Sequence, residues 1–326
     1  MSRILSLLAG ALAWLGRYGT QGFALSIVLG LALPQFAAAA RPLLPVTIFC
    51  FSTVVFLRLD VSITLGLLRQ PARLAIATLW LLVAPAVIVG LILLLVGRAE
   101  LDPGVVLGLA LLGAAAPIMS CPAVAILYGF EPSLIIASVV IGTLLTPLIS
   151  PFLVELLAGT AVPLDRSVLM LRLLFFIGGS LLVAAILRRV LGMARIKAMK
   201  ASFDGFGVLM YFIFAIAAMD GVTQAAMERP GLVAFVLACV FAVSAIGLVS
   251  AWLALRMFPE SERFMIGYGS GHRNMGLLIA ALGAGVPPSA FLFFALAQFP
   301  IYLLPWALGG IAARIRRREA PPSLRA

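Results

Sequence analysis

Near the C-terminal end of the chain, inside an apolar stretch, runs Gly267-Tyr268-Gly269-Ser270-Gly271-His272-Arg273-Asn274-Met275-Gly276. Its side chains can do chemistry that an ordinary membrane span does not need. The planar guanidinium of Arg273 can grip a carboxylate or another oxyanion through two parallel hydrogen bonds. The imidazole of His272 can exchange a proton near neutral pH. Asn274 can donate and accept, and Ser270 carries a hydroxyl. Such groups are expensive in hydrocarbon unless they face protein, water or ligand. Each glycine costs a continuous helix about 1 kcal/mol relative to alanine. Together they predict a helix broken at membrane depth, with Gly269, Gly271 and Gly276 at the break. Broken helices form substrate and ion sites in secondary transporters.

A second interruption lies at Ala114-Ala115-Ala116-Pro117-Ile118-Met119-Ser120-Cys121-Pro122. Pro117 and Pro122 mark the predicted break, and Ser120 and Cys121 are the reactive groups beside it. Asp60 is a carboxylate in another apolar stretch. With His272 it is a candidate for ion or proton coupling.

The elements that must hold these residues follow from composition. Of 326 residues, 63% are hydrophobic and 11% charged, and mean hydropathy is +1.19. That is the composition of an integral membrane protein. Ten spans of roughly 20 apolar residues are predicted, at about 20–37, 44–67, 72–97, 104–128, 132–158, 167–190, 201–225, 231–257, 262–283 and 288–312. The net charge of +11 comes from Lys and Arg in short loops. With the N-terminus inside, those residues favour the inside loops by about four to one. This points to an even span count, both termini cytoplasmic, and no nucleic-acid footprint. The expected location is a bacterial inner membrane, with the lipid bilayer as partner.

The chain reads as an N-terminal amphipathic segment over 1–19, a first five-helix repeat over 20–158, and a linker with helix 6 over 159–200. A second five-helix repeat follows over 167–312, then a basic cytoplasmic tail over 313–326. An odd-numbered repeat inverts the second half in the membrane. The breaks in spans 4 and 9 fall at equivalent places. Spans 5 and 10 both begin Pro-Ser and carry two further prolines.

On these residues the chain resembles the bile acid:sodium symporter superfamily, which also contains arsenite efflux carriers. Gly271-His272-Arg273-Asn274-Met275-Gly276-Leu277 is similar to the family's Gly-x-x-Asn-x-Gly-Leu element on its ninth helix. Thr143-Leu144-Leu145-Thr146-Pro147-Leu148-Ile149-Ser150-Pro151 is similar to the Thr-Leu-x-x-Pro-Leu-x-x-Pro element on its fifth. The resemblance implies helices 4 and 9 crossing at their breaks. It also implies a core of spans 3–5 and 8–10 beside a panel of spans 1, 2, 6 and 7. The departures matter as much. Where sodium-coupled members carry glutamate and glutamine ligands, this chain has Gly269 and Arg273. The family's fourth-helix Ser-Asn pair falls on Cys121-Pro122, and its early fifth-helix hydroxyls fall on Ile135 and Val139. A hard cation that needs oxygen ligands finds no side-chain oxygen there. Arg273 adds a positive charge in its place.

The expected function is therefore alternating-access transport of a small or amphipathic organic anion, not coupled to sodium in the usual geometry. Substrate would meet Arg273, Asn274, His272, Ser270, Ser120 and Cys121. Half-helix N-termini would add backbone N–H groups. The structural alternative makes Arg273 a brace for carbonyls freed by the break, or the partner of a buried acid such as Asp220 or Asp60. His272 equally suits a bond to a freed carbonyl, and Asn274 suits bracing. The alternatives in function are a conventional sodium:organic anion symporter, a transporter-like membrane receptor, and an arsenite-type carrier using the soft sulfur of Cys121. No phosphate loop, nucleophile elbow or metal cluster is present. The reading is thus not an enzyme, with no cofactor, no metal and no ATP drive.

Overall fold

The computed structural model describes residues 19–59, 66–67, 69–159 and 164–320. The N-terminal segment up to 18 and Asp60 lie outside the described residues, so the coupling role considered for Asp60 is not addressed by it. Regular structure among the described residues is helical throughout. In chain order the helices are α1 Gly19–Ala32, α2 Pro34–Ala40, α3 Leu44–Arg58, α4 Pro71–Val96, α5 Pro103–Ala114 and α6 Cys121–Leu127. Then come α7 Ser133–Ala158, α8 Arg166–Leu191, α9 Met193–Ala198, α10 Lys200–Ala218, α11 Val222–Glu228 and α12 Pro230–Ala254. The last are α13 Glu260–Gly271, α14 Met275–Leu282, α15 Pro288–Leu296, α16 Gln298–Ala307 and α17 Gly309–Glu319.

Local chemistry sets many of these limits. Proline sits in the first turn of α2, α3, α4, α5, α6 and α15, where its missing N–H has no helical partner to lose. Asp102 caps α5 by accepting from Gly104 N at 2.9 Å. Gly97 and Gly159, at φ 88° and 60°, stop α4 and α7 in a backbone region that side chains resist.

Seven of the described helical stretches are long and apolar enough to cross a membrane. Their outer faces carry large apolar side chains: Leu94, Leu95, Leu156 and Phe175 are 70–86% exposed. Water would not tolerate such a surface, and lipid requires it. The chain is an all-α membrane protein.

Expected spans 4 and 9 are each present as two half-helices, α5 with α6 and α13 with α14. The gap expected between spans 1 and 2, at about 38–43, lies instead at Leu33-Pro34. Arg41–Leu43 forms a tight helical turn that joins α2 to α3 without a loop, because Pro42 and Pro45 occupy first-turn positions. Residues expected as a basic cytoplasmic tail over 313–326 continue as helix to Glu319. There α17 buries Ala312 and Ile315 and packs against α13, and Glu319 accepts from Ser261 N at 3.0 Å.

The described residues divide into two compact units. One takes those of Met1–Leu59, Leu171–Pro230 and Ile279–Ala284; the other takes those of Asp60–Met170, Gly231–Leu278 and Gly285–Ala326. In the first, α10 packs on α1, α2 and α3. Ion pairs Arg41–Asp220, at 2.8 Å, and Arg58–Asp204 tie it together. In the second, α7 packs on α4, α5 and α6, α15 on α5, and α13 on α4. Both interruptions belong to the second unit, as do α5, α6, α13 and the start of α14, whose residues from Ile279 fall in the first.

Candidate functional site: the crossing of two interrupted helices

The two breaks meet. Pro117 and Arg273 form an antiparallel bridge, in which Ile118 N donates to His272 O at 3.0 Å and Asn274 N donates to Ala116 O at 2.8 Å. Each interruption thus completes part of the other's backbone hydrogen bonding, as buried backbone requires.

The remaining freed carbonyls are satisfied by side chains. At the end of α5, Ser150 Oγ donates to Ala114 O at 2.5 Å, and Arg273 Nη2 donates to Ala115 O. At the end of α13, Arg273 Nη1 reaches Gly269 O at 3.4 Å, and also Leu81 O of α4 at 2.7 Å. Ser244 Oγ of α12 lies 3.2 Å from Gly271 O and 2.9 Å from Val240 O of its own helix, and its one proton serves one of them at a time. The imidazole of His272 stacks on Tyr268 with centroids 3.8 Å apart. Its nitrogens lie 2.6 Å from Tyr268 O and 3.2 Å from Pro300 O. A neutral imidazole donates to only one of these at a time.

Arg273 is 2% exposed and Asn274 8%. Arg273 has no carboxylate partner among the described residues. Asp220, considered as its partner, pairs with Arg41. Two donors are left over at the crossing: Arg273 Nε and Asn274 Nδ2 have no hydrogen-bond partner. On α7, Ser138 Oγ is likewise unpartnered. It lies on the helix face between Ile135 and Gly142. That face meets the crossing, since a Cβ at Gly142 would stand 3.3 Å from Pro117, and one at Gly269 would stand 3.7 Å from Ile135.

Of the positions matched to sodium ligands, Gly269, Arg273, Cys121 and Ile135 gather. A Cβ at Gly269 would lie 2.8 Å from Leu81 Cδ2, 3.4 Å from Cys121 Sγ and 3.7 Å from Ile135 Cδ1. What fills that space is aliphatic carbon and a thiol, with the guanidinium 3.4 Å from Gly269 O. Ser270 is fully buried and donates to Ile266 O of its own helix at 2.8 Å. Cys121 is fully buried with Sγ 3.8 Å from Met265 O. Ser120 is partly exposed at the start of α6.

The glycines and Pro122 were expected at the breaks, and the structure corrects this. Gly269 and Gly271 are helical residues of α13, Gly276 is helical in α14, and Pro122 lies in the first turn of α6. The interruptions are residues 115–120 and 272–274. None of these glycines has a positive φ. They are small for packing: a Cβ at Gly267 would stand 2.8 Å from Leu248 Cα, and one at Gly271 would stand 2.4 Å from Ser244 Cα. Helix α13 therefore lies backbone to backbone on α12, as small residues permit in membranes. Sequence reasoning missed Ser150, Ser244 and the Leu81 and Pro300 carbonyls. Only Ser150, beside Pro151 in the fifth-span motif, carried a visible signal.

Comparison of the chain with protein-family models and with curated proteins finds no match. Fold and site therefore define a class, a helical membrane protein compatible with a membrane transporter.

Proposed function

We propose that the chain is a secondary carrier of the bile acid:sodium symporter-like fold, moving a small or amphipathic organic anion by alternating access without a bound sodium ion. One observation carries this reading. A guanidinium sits at membrane depth with no described carboxylate, and its Nε and the adjacent Asn274 Nδ2 lack acceptors. Two donors beside an uncompensated positive charge call for an anionic acceptor. The Nη atoms meanwhile do what a bound cation would do, drawing together carbonyls of α4, α5 and α13. Arg273 is thus both brace and fixed counter-ion. The paired breaks, their matching places in the two halves, and the grouping of spans 3–5, 8 and 10 and most of span 9 in one unit all support the fold.

The test is binding and flux on the same purified variants. Wild type, Arg273→Lys and Asn274→Ala are titrated with aliphatic, aromatic and steroidal carboxylates while melting is followed. Asn274→Ala removes Nδ2 yet keeps the backbone bond to Ala116. It should weaken anion binding at least tenfold, about 1.4 kcal/mol, with little loss of stability. Arg273→Lys keeps charge but loses the fork, and should weaken binding further. Unchanged affinity in both variants, with stability lowered in Arg273→Lys, would leave only the bracing role. Ligand-dependent melting without flux in proteoliposomes would turn the carrier into a receptor.

A further inference from the structure

The first unit holds a cavity of about 360 Å³ between the end of α3, the end of α8 and the start of α10. None of the residues of the crossing lines it. Its wall includes Phe49, Val54, Leu57, Leu187, Phe203 and Phe206. The few polar side chains on the wall offer little to orient a polar ligand; Thr53 Oγ1, for one, donates to Phe49 O of its own helix at 2.8 Å. The size is that of a ligand pocket, about 300–1,000 Å³, but the convergent polar groups such a pocket uses are missing. A hydrocarbon chain fits this lining best.

Charge marks one end of the cavity. Three lining residues are each followed directly by a cation: Leu57 by Arg58, Leu187 by Arg188, and Met199 by Lys200. Arg58 is committed to Asp204, and Arg188 donates to the carbonyls of Phe56, Leu57 and Leu59 at the end of α3. Helix α9 adds Arg195 and Lys197, which with Lys200 are exposed. The only acid between 188 and 210 is Asp204, already paired. Basic pockets between membrane helices bind anionic headgroups.

We propose that this cavity holds one acyl chain of an anionic phospholipid from the surrounding bilayer, its phosphate held by Lys200, Lys197 and Arg195. The hydrophobic wall selects the chain, and the cations select the headgroup. The site braces α3, α8 and α10 and does not depend on the transport reading.

The experiment uses the full-length chain in detergent with added dioleoylphosphatidylglycerol, dioleoylphosphatidylcholine or oleate. Two readouts are melting temperature and the rate of maleimide reaction at Cys50, a cysteine that lines the cavity. Phosphatidylglycerol should raise the melting temperature and slow Cys50 alkylation severalfold more than phosphatidylcholine. Lys197→Gln with Lys200→Gln should erase that preference, and Val54→Phe should reduce protection by either lipid. Equal effects of the two phospholipids, or a preference untouched by the double lysine variant, would overturn the proposal. Protection by oleate matching that of phosphatidylglycerol would also overturn it, in favour of a free fatty acid. Should Val54→Phe fail to fold, Cys50 protection in the wild type still decides.

Discussion

Replacing Gly271 by alanine should damage the crossing, whereas the same change two residues earlier should not. At Gly271 the new methyl would stand 2.4 Å from Ser244 Cα and 3.0 Å from both Ser244 Cβ and Ser244 O. These are backbone and near-backbone atoms, so α12 and α13 must part by roughly 1 Å to reach ordinary carbon contact at about 3.5 Å. Parting them lengthens the 3.2 Å approach of Ser244 Oγ to Gly271 O past any useful length and leaves the hydroxyl to Val240 O at 2.9 Å. Overpacking costs about 1–3 kcal/mol, and an orphaned buried carbonyl about 1–3 kcal/mol more. Alanine returns up to about 1 kcal/mol as the better helix former, leaving a net loss of about 1–6 kcal/mol. At Gly269 the nearest atom is Leu81 Cδ2 at 2.8 Å, the far end of a side chain that can change rotamer. There the helix gain and the small clash nearly cancel. Melting of both variants in one detergent, followed by tryptophan fluorescence, decides. If Gly271→Ala melts with or above Gly269→Ala, the close backbone approach argued for α12 and α13 is wrong.

Ser150→Ala leaves Ala114 O without its donor and should cost about 1–3 kcal/mol, seen as lower melting temperature with unchanged surface labelling. His272→Phe keeps the stack on Tyr268 but drops both carbonyl contacts, and should destabilise by a similar amount. Asp220→Asn breaks a half-exposed pair and should cost under about 1 kcal/mol, a change small beside that of Ser150→Ala. Anion affinity measured in sodium and in choline at matched ionic strength should agree, and a sodium-specific gain would contradict the filled cation position.

The place of the site was legible in the sequence, but the reason for its glycines was not. His272, Arg273 and Asn274 had to be accounted for at membrane depth, and a proline-rich interruption stood at the matching place in the first half. Composition alone therefore pointed to both breaks. The glycines were read as weak helix because their local cost is visible in sequence. Their benefit is a contact with Ser244 and Leu248 on another helix, which no local pattern reveals. The same blindness hid the Ser244 hydroxyl and the Leu81 carbonyl, since both act on residues far along the chain. Arg41-Pro42 looked like a loop because a charge and a proline usually end a span. Asp220 supplies the charge partner, and the helix geometry tolerates the proline. The basic stretch after 312 looked like a tail because its charge outweighs its apolar residues, yet Ala312 and Ile315 suffice to seat one face on α13.

The guanidinium at the crossing has an electrical consequence. Helix ends carry about half an elementary charge, negative at the C-terminus, and the C-termini of α5 and α13 both direct carbonyls at Arg273. The N-termini of α6 and α14 at the same breaks carry the opposite halves, so the four helix ends cancel and the guanidinium supplies the crossing's one positive charge with no ion borrowed from solution. A charge that never leaves the protein can do no work on its passenger. If the carrier proposed here moves its passenger uncoupled, accumulation is bounded by the passenger's own gradient and the membrane potential. At 100 mV, negative inside, a monovalent anion is favoured outside by about 2.3 kcal/mol, a ratio of roughly fifty. Left to that potential, such an uncoupled carrier would run as an exporter.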